Sequence, residues 1–307
     1  MHYYSFNNYL REKFGEKVQR ISLNAGFSCP NIDPATGKGG CVYCNELGFS
    51  RFAETSKTLE KQIESSIQVL KKKNINKFIA YFQNATNTNA LPEKLKKAYD
   101  VVMAYPEIVG LFISTRPDCV DEEKLDLIAS YCNDYDVWIE YGVQTIHDRT
   151  LKVINRGHLF SDSVRAIEMT RKMGIKTAAH VILGLPGETK EMMIETAREL
   201  TALRVDGIKL HILHVLRDTE LEKNYRNNEV ELLSKEAYVE SVCDFIEVLS
   251  PECVMLRLVS DASPDILVAP EWINDKLSVI NAINDKFEKR GTHQGSCYRG
   301  SGFGVRK

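Results

Sequence analysis

No apolar run in this chain reaches the ~18 residues needed to cross a bilayer, so a membrane span is not expected. Charge of one sign is lacking too. The formal net charge is −2 and the isoelectric point about 6.4. The whole molecule is therefore no polycation, and nucleic-acid contact would need a local basic patch. The opening residues, Met1 to Phe6, carry no secretory pattern of basic and apolar blocks. There is no internal repeat and no low-complexity block. A cytoplasmic location is the expectation. In that compartment the eight cysteines are expected as thiols or ligands rather than disulfides. What is present is a 43% share of hydrophobic residues over 307 positions. That is enough core for one large α/β barrel-type domain or two small ones, and it argues against wholesale disorder.

Short apolar runs alternate with helical patterns. The strand candidates are Val18–Asn24, Phe78–Phe82, Val109–Ser114, Val137–Val143, Lys176–Leu183 and Gly207–Val215. Near-continuous apolar runs suit parallel strands covered on both faces. Between them, Leu59, Ile63, Ile67 and Leu70 recur at helical spacing. Asp121 and Ser161 are candidate N-caps, Gly174 a candidate C-terminal glycine, and Glu188–Leu203 another helix. Six strand–helix units predict a parallel sheet with right-handed crossovers, a partial (β/α)6 TIM-type barrel rather than a closed one. A C-terminal α/β extension follows, with a helix at Ser234–Leu249, a strand at Val254–Val259, a helix near Asp275–Glu288 and a glycine-rich tail.

The stretch CPNIDPATGKGGCVYC follows the first strand. Eleven residues separate Cys29 from Cys41, and two separate Cys41 from Cys44. Two prolines and three glycines before Cys44 make this a loop. It lies at the C-terminal end of a strand, where parallel α/β folds place their sites. Three thiolates are one short of the usual four of a [4Fe–4S] cluster. The open iron suits the amino and carboxylate groups of S-adenosylmethionine (SAM), and reduction of the sulfonium then releases a 5′-deoxyadenosyl radical. A zinc knuckle of three cysteines and a histidine is a second reading. Against it, no further Cys/His pair has zinc-like spacing and His2 is isolated. A third reading is three unrelated core thiols, at odds with so polar a loop. Cys132 and Cys243 fall on apolar helix faces, Cys119 and Cys253 have no partner motif, and Cys297 sits in a flexible tail as a candidate hydrogen-atom donor.

The strand ends carry a polar set. Strand two ends in Tyr81-Phe82-Gln83-Asn84 and strand three in Ser114-Thr115-Arg116. Strand four holds Glu140 and ends in Gln144, strand five holds His180 before Gly184-Leu185-Pro186-Gly187, and strand six has His211 and His214. Each has an ordinary reading as a turn residue or a buried ion pair. Together they make one rim suited to a zwitterionic nucleoside ligand, whose ammonium, carboxylate and ribose each want different partners. Glu140 stands out, because a carboxylate in an apolar strand requires a partner.

With these segments the chain resembles the radical SAM superfamily, in the branch around the elongator catalytic subunit. The matching stretches are CPNIDPATGKGGCVYC, AYFQNATNTNALP, ISTRPDC, EYGVQT, VINRGH, AHVILGLPGET and GIKLHILHVLRDTEL. The later stretch LRLVSDASPDILVAPEW is similar to short bacterial proteins of the YhcC/YtqA type in that branch. The resemblance implies a radical SAM core over residues 1–220, with the cluster loop at 26–50, and an extension over 221–307 that closes the barrel. It implies iron ligation by Cys29, Cys41 and Cys44. It places Tyr43 near the adenine, and Gln83, with Asn84 beside it, at the methionyl amine. Glu140 and Gln144 would hold the methionyl or ribose part, Arg156 the carboxylate, and His180 and Ile182 the ribose and adenine pocket; Ser114 and Arg116 join the same rim. The cluster loop is longer between its first two ligands than the usual Cys-x3-Cys-x2-Cys, as is normal for this branch. Neither the acetyltransferase domain of the elongator subunit nor the extra cysteine triad of methylthiotransferases is matched, so acetyl transfer is not expected.

Two substrates from different classes follow. One is tRNA, at the C5 substituent of a wobble uridine. Its candidate patch comprises Arg11, Lys13, Lys17, Arg20, Lys94, Lys96, Lys97, Arg290, Arg299, Arg306 and Lys307, with Tyr298 and Phe303 to stack on bases. The other is a small metabolite held within the barrel. A non-enzymatic zinc-holding RNA adaptor is the remaining reading. A flavodoxin- or ferredoxin-type electron donor is expected with either substrate.

Overall fold

The computed structural model describes residues 2–33, 39–45 and 57–299. The chain opens with helix α1 (Phe6–Phe14), capped by the Ser5 hydroxyl and closed by Gly15 in the left-handed conformation. There follow β1 (Val18–Leu23), α2 (Leu59–Lys71), β2 (Lys77–Phe82), α3 (Pro92–Tyr99), β3 (Ile108–Thr115), α4 (Glu122–Ala129) and β4 (Asp136–Gln144). Then come α5 (Asp148–Val153), α6 (Phe160–Lys172), β5 (Lys176–Leu183), α7 (Lys190–Ala202), β6 (Gly207–Ile212) and β7 (Val215–Leu216). The chain continues through α8 (Glu220–Arg226), α9 (Lys235–Glu247), β8 (Val254–Arg257), β9 (Leu267–Ala269) and α10 (Lys276–Arg290).

Among the described residues the main sheet has seven parallel strands in the order β1-β2-β3-β4-β5-β6-β8. It is the partial TIM-type barrel expected from six β/α units, with a seventh strand drawn from the extension. The Val254–Val259 run therefore extends the sheet beside β6. The run Gly207–Val215 is not one strand. β6 stops at Ile212, and Val215–Leu216 pairs antiparallel with β9 in a separate ribbon. Apolar character continues across the break because Leu213 and Val215 are buried in a different cluster, so composition conceals the turn.

Asp121 caps α4, accepting from the Lys124 amide at 3.0 Å. Ser161 does not cap α6. That helix begins at Phe160, and the Asp162 carboxylate takes the Leu159 amide at 3.0 Å, so the first-turn acid does the capping instead.

The core has two main parts. The larger lies between the outer sheet face and the helices, and includes Ile63, Leu95, Leu125, Ile167, Leu200, Phe245 and Phe287. The smaller fills the barrel interior at the strand starts. There Leu10 of α1, with Tyr4, Phe6, Tyr9 and Phe14 around it, packs on Ile79, Phe112, Trp138, Ala178 and Val254. Each such fully buried side chain is worth about 1.5–3 kcal/mol. This plug is pinned by Asp136 at the start of β4. Its buried carboxylate accepts from Tyr9 Oη at 2.7 Å, Lys13 Nζ at 2.6 Å, Lys176 Nζ at 2.7 Å and Trp138 Nε1 at 3.0 Å. The closed bottom leaves the C-terminal mouth as the way into the barrel.

Candidate active site

The mouth opens into a cavity of about 900 Å³ inside the half-barrel. Its walls bring together most of the residues picked out on the strand ends. Cys29, Cys41, Cys44, Tyr43, Gln83, Ser114, Arg116, Gln144, Arg156, His180 and Ile182 all line it. They come from β1's following loop and from β2, β3, β4, β5 and the turn after α5, because parallel strands in register carry their ends to one rim. Gln144 has φ of 71° at the end of β4, where the pairing with β5 is irregular. A non-glycine residue in that conformation costs energy and is characteristic of functional turns.

The cysteine loop is tied down on both flanks. The Val42 amide donates to Ile154 O at 3.1 Å, and Asn155 Nδ2 donates to Gly40 O at 2.6 Å. Asn31 Nδ2 donates to Asn155 O at 2.7 Å and approaches Cys41 Sγ at 3.4 Å. Arg156 donates twice to Gly142 O, at 3.2 and 2.8 Å, and its Nη1 lies 3.7 Å from Cys41 Sγ. A β-carbon at Gly142 would lie 2.4 Å from Arg156 Nη2, so only glycine leaves room for that guanidinium. Arg116 is held in turn by both Asp118 oxygens, at 2.9 and 2.8 Å, and by Arg156 O at 2.8 Å.

These thiols fit a cluster. N–H donors and a buried guanidinium at a sulfur stabilise the anionic charge of thiolates and cluster sulfides. Among the described residues no three Cys, His, Asp or Glu side chains gather closely enough for a single metal ion. A zinc ion would require sulfurs within ~3.8 Å of one another, given Zn–S bonds of about 2.3 Å. Of the other five cysteines, none lines the cavity. Cys243 and Cys253 are buried, and Cys119 and Cys243 are pushed up to about 12, chiefly by burial. Cys297 is exposed, and its amide is fastened to Glu247 O at 2.8 Å. The chain is thereby docked on α9 at this residue, with the thiol itself free.

Glu140 is fully buried and forms the hub of the barrel floor. Its Oε2 accepts from Tyr81 Oη at 2.6 Å, His180 Nε2 at 2.6 Å and Lys209 Nζ at 2.8 Å. Burial works against its charge, but Lys209 and His180 hold its carboxyl well below the usual range. Burial pushes His180 down to about 4 and Lys209 down to about 7, the latter with Glu140 opposing. Asn84 does not line the cavity and its buried Oδ1 has no hydrogen-bond partner.

The sequence reading missed Lys209 and Arg257 altogether. A lysine in an otherwise apolar strand was the available signal for the first. Arg20 was assigned to an outer basic patch; it lines the cavity instead, 3.8 Å from Glu140 Oε1, with its guanidinium over the rings of Phe6 and Tyr81. Other members of that patch are engaged by the protein's own acids. Lys13 is held by Asp136, Lys96 by Asp100 at 2.6 Å, and Arg290 by Asp244 at 2.9 Å and Glu247 at 2.8 Å. Phe303, Arg306 and Lys307 lie outside the described residues, as do positions 34–38 and 46–50 of the cluster loop.

Comparison with known proteins shows the family of this chain. The model of the radical SAM superfamily matches residues 37–200, and that of the radical SAM C-terminal domain residues 205–289. YtqA of Bacillus subtilis, an uncharacterised protein, is 38% identical over 97% of this chain and 93% of its own length. The tRNA uridine(34) acetyltransferase of Methanocaldococcus jannaschii is 27% identical over 52% of this chain and 30% of its own length. Among solved structures, the Elp3 of Methanocaldococcus infernus with an N-terminal deletion superposes with a TM-score of 0.67 at 19% identity, over 90% of this chain and 64% of that one. No helix among the described residues is long and apolar enough to cross a membrane. The cysteine loop, the cavity it overlooks and the family match together make this chain a member of the radical SAM superfamily, an enzyme whose cofactors are a [4Fe–4S] cluster and SAM.

Proposed function

We propose that this enzyme modifies tRNA in the cytoplasm, acting at the C5 substituent of a wobble uridine, with a flavodoxin- or ferredoxin-type protein as electron donor. The observation that carries the reading is the cavity itself. At about 900 Å³ it is at the upper end of ordinary ligand pockets, with room for SAM and part of a second reactant. The tRNA uridine(34) acetyltransferase, which resembles this chain over 52% of its length, supports the choice of substrate.

Cys29, Cys41 and Cys44 would hold the cluster, which supplies the electron for reductive cleavage of SAM. The chain's other residues bind and orient. Tyr43 and Ile182 offer apolar walls for the adenine. Gln83, Ser114, Gln144 and His180 offer acceptors and donors for the amine, carboxylate and ribose. Glu140 acts behind them, fixing His180 and Lys209. Arg116 and Arg156 stay with the loop and brace Cys41.

A second reading, a small metabolite as substrate, is favoured by the internal pairing of Lys13, Lys96 and Arg290. Anaerobic reconstitution with iron, sulfide and dithionite, followed by incubation with total tRNA and nucleoside analysis, separates the two. A changed wobble uridine, with tRNA binding that weakens steeply with salt, supports the first. SAM cleavage beside an unaltered nucleoside profile, with a metabolite accumulating in deletion cells, rejects it.

A further inference from the structure

Two buried arginines stand behind the cysteine loop, and they differ in their partners. Arg116 is held by both Asp118 oxygens, so that pair is neutral in itself. Arg156 is equally buried, yet among the described residues no carboxylate pairs with it. Its nitrogens are engaged otherwise. Nε and Nη2 donate to Gly142 O at 3.2 and 2.8 Å, and Nη1 approaches Cys41 Sγ at 3.7 Å. A carbonyl carries no net charge to oppose the guanidinium. Guanidinium does not deprotonate in proteins, and a buried charge without a counter-charge is costly.

The other groups around Arg156 supply no such charge. Asp118 feels Arg156 but is taken by Arg116. Burial, and then Arg156 itself, pushes His158 down to about 4, so its imidazole is neutral. Burial, and then Cys41, pushes the Tyr43 phenol up, so it is a neutral donor. Asn31 Nδ2, also neutral, reaches Cys41 Sγ at 3.4 Å. Among the described residues, what is left to balance Arg156 is the charge that the cysteines carry when they hold iron. An oxidised [4Fe–4S] core on three thiolates has one net negative charge, and the reduced core two. SAM, with a sulfonium and an ammonium against one carboxylate, has one net positive charge. The site is therefore neutral with Arg156 and the oxidised core, and neutral again once an electron and SAM have both arrived.

The geometry points to Arg156 as the resident counter-charge of the cluster, a positioning residue that sets its reduction potential and leaves the methionyl carboxylate of SAM to other groups. This rests on the reading that Cys29, Cys41 and Cys44 hold the cluster, and it holds for either substrate. The step concerned is the uptake of one electron from the flavodoxin- or ferredoxin-type donor, with no proton moved and no bond made or broken. A positive charge and N–H donors at a ligating sulfur favour the more negative, reduced form. Burial strengthens the effect, because the interior screens the interaction less than water does. Arg156 thereby eases reduction before SAM has brought its own positive charge. Gly142 serves the same end. A β-carbon there would lie 2.4 Å from Arg156 Nη2, so the glycine lets the guanidinium rest against Cys41.

The test uses the full-length, cluster-loaded protein under anaerobic conditions and without SAM. Titration with dithionite and dye mediators, followed by the EPR signal of the reduced cluster, gives the midpoint potential and reads only chains that hold a cluster. In Arg156→Gln the ratio of reduced to oxidised cluster at a given potential should fall about tenfold, a midpoint lower by about 59 mV for a one-electron couple. Arg156→Lys should recover part of the shift. Gly142→Ala, which keeps the arginine but displaces its head, should move the midpoint the same way. Thermal melting of each variant establishes that it is folded. An unmoved midpoint in Arg156→Gln overturns the assignment. So does a midpoint in Arg156→Lys as low as that of Arg156→Gln, because packing rather than charge would then be the cause. If Arg156→Gln holds no cluster, Gly142→Ala decides: a lowered midpoint upholds the assignment and an unmoved one overturns it. Equilibrium dialysis supplies a second readout. A loss of SAM affinity in Arg156→Gln that is absent with decarboxylated SAM would give the guanidinium to the methionyl carboxylate and overturn the assignment. If the unaltered protein shows no cluster signal, the ligand reading fails and takes this one with it, whereas a normal signal with an unmoved midpoint in Arg156→Gln defeats this one alone.

Discussion

Replacing Glu140 by glutamine removes the only charge among the described residues that opposes Lys209 within hydrogen-bonding distance, 2.8 Å away, while keeping the shape of the side chain. Removing one partner of a buried pair costs about 3–5 kcal/mol. Glutamine still offers one acceptor oxygen to Tyr81 or His180, so about 3 kcal/mol is expected. At about 2 °C per kcal/mol for a long chain, that is roughly 6 °C in melting temperature. The loss should depend on pH. In the native protein Lys209 titrates at about 7, below its value of about 10.4 in an unfolded chain. Its ammonium is paired below pH 7 and neutral above. The deficit of Glu140→Gln is therefore largest below about pH 7 and shrinks as pH rises, since neutral Lys209 has no need of the carboxylate. Urea unfolding of the apo protein at about pH 6 and pH 9 measures both effects without contribution from the cluster. The double variant Glu140→Gln with Lys209→Met should recover most of the loss, because replacing both partners of a buried pair is nearly neutral. A deficit under about 1 kcal/mol at the lower pH, or one that is flat with pH, would refute the pairing. Additive losses in the double variant would do the same.

Cys44→Ala should lower bound iron and abolish 5′-deoxyadenosine formation with dithionite; persistent cluster-dependent product would remove Cys44 from the ligand set. Gly142→Ala should drive the Arg156 guanidinium off Gly142 O and Cys41, because the new β-carbon would lie 2.4 Å from Nη2. Iron loading per chain should fall after reconstitution, and unchanged loading would show that Arg156 does not brace the loop. Asp136→Asn should cost about 3 kcal/mol at neutral pH by releasing Lys13 and Lys176 from the plug. Burial acts to raise the Asp136 pKa, but its bonds to Lys13, Lys176 and Tyr9 hold it below the ordinary carboxylate range. Its stabilisation is thus present above about pH 4 and lost as pH falls through the lowered value, so the melting curves of the two proteins should converge in acid. A gap that persists there would mean that Asp136 acts through packing rather than charge.

Much of the barrel was legible because parallel strands buried on both faces leave a plain apolar signature. Lys176–Leu183 was read to the residue, and β2, β3 and β4 to within one residue at each end. The misreadings have local causes. Gly207–Val215 merged two strands because the turn at Leu213 and His214 is itself buried or half-buried. The cap of α6 was misplaced because an acid inside the first turn competes with the serine before it.

The amino-acid sequence by itself pointed to the chemistry, since the spacing of Cys29, Cys41 and Cys44 on a proline- and glycine-rich loop follows from covalent order alone. It also carried the rim, because residues at the ends of consecutive parallel strands must share one face. The partners of each charge were decided only by the tertiary structure. Arg20 and Lys13 lie in a stretch that reads as an exposed basic segment, yet the fold turns one toward Glu140 and binds the other to Asp136. Arg257 comes from beyond residue 220, and only its strand's place beside β6 brings it to the floor. Charge balance in a cavity depends on distances between residues far apart in the chain, and those distances exist only after the sheet has curled.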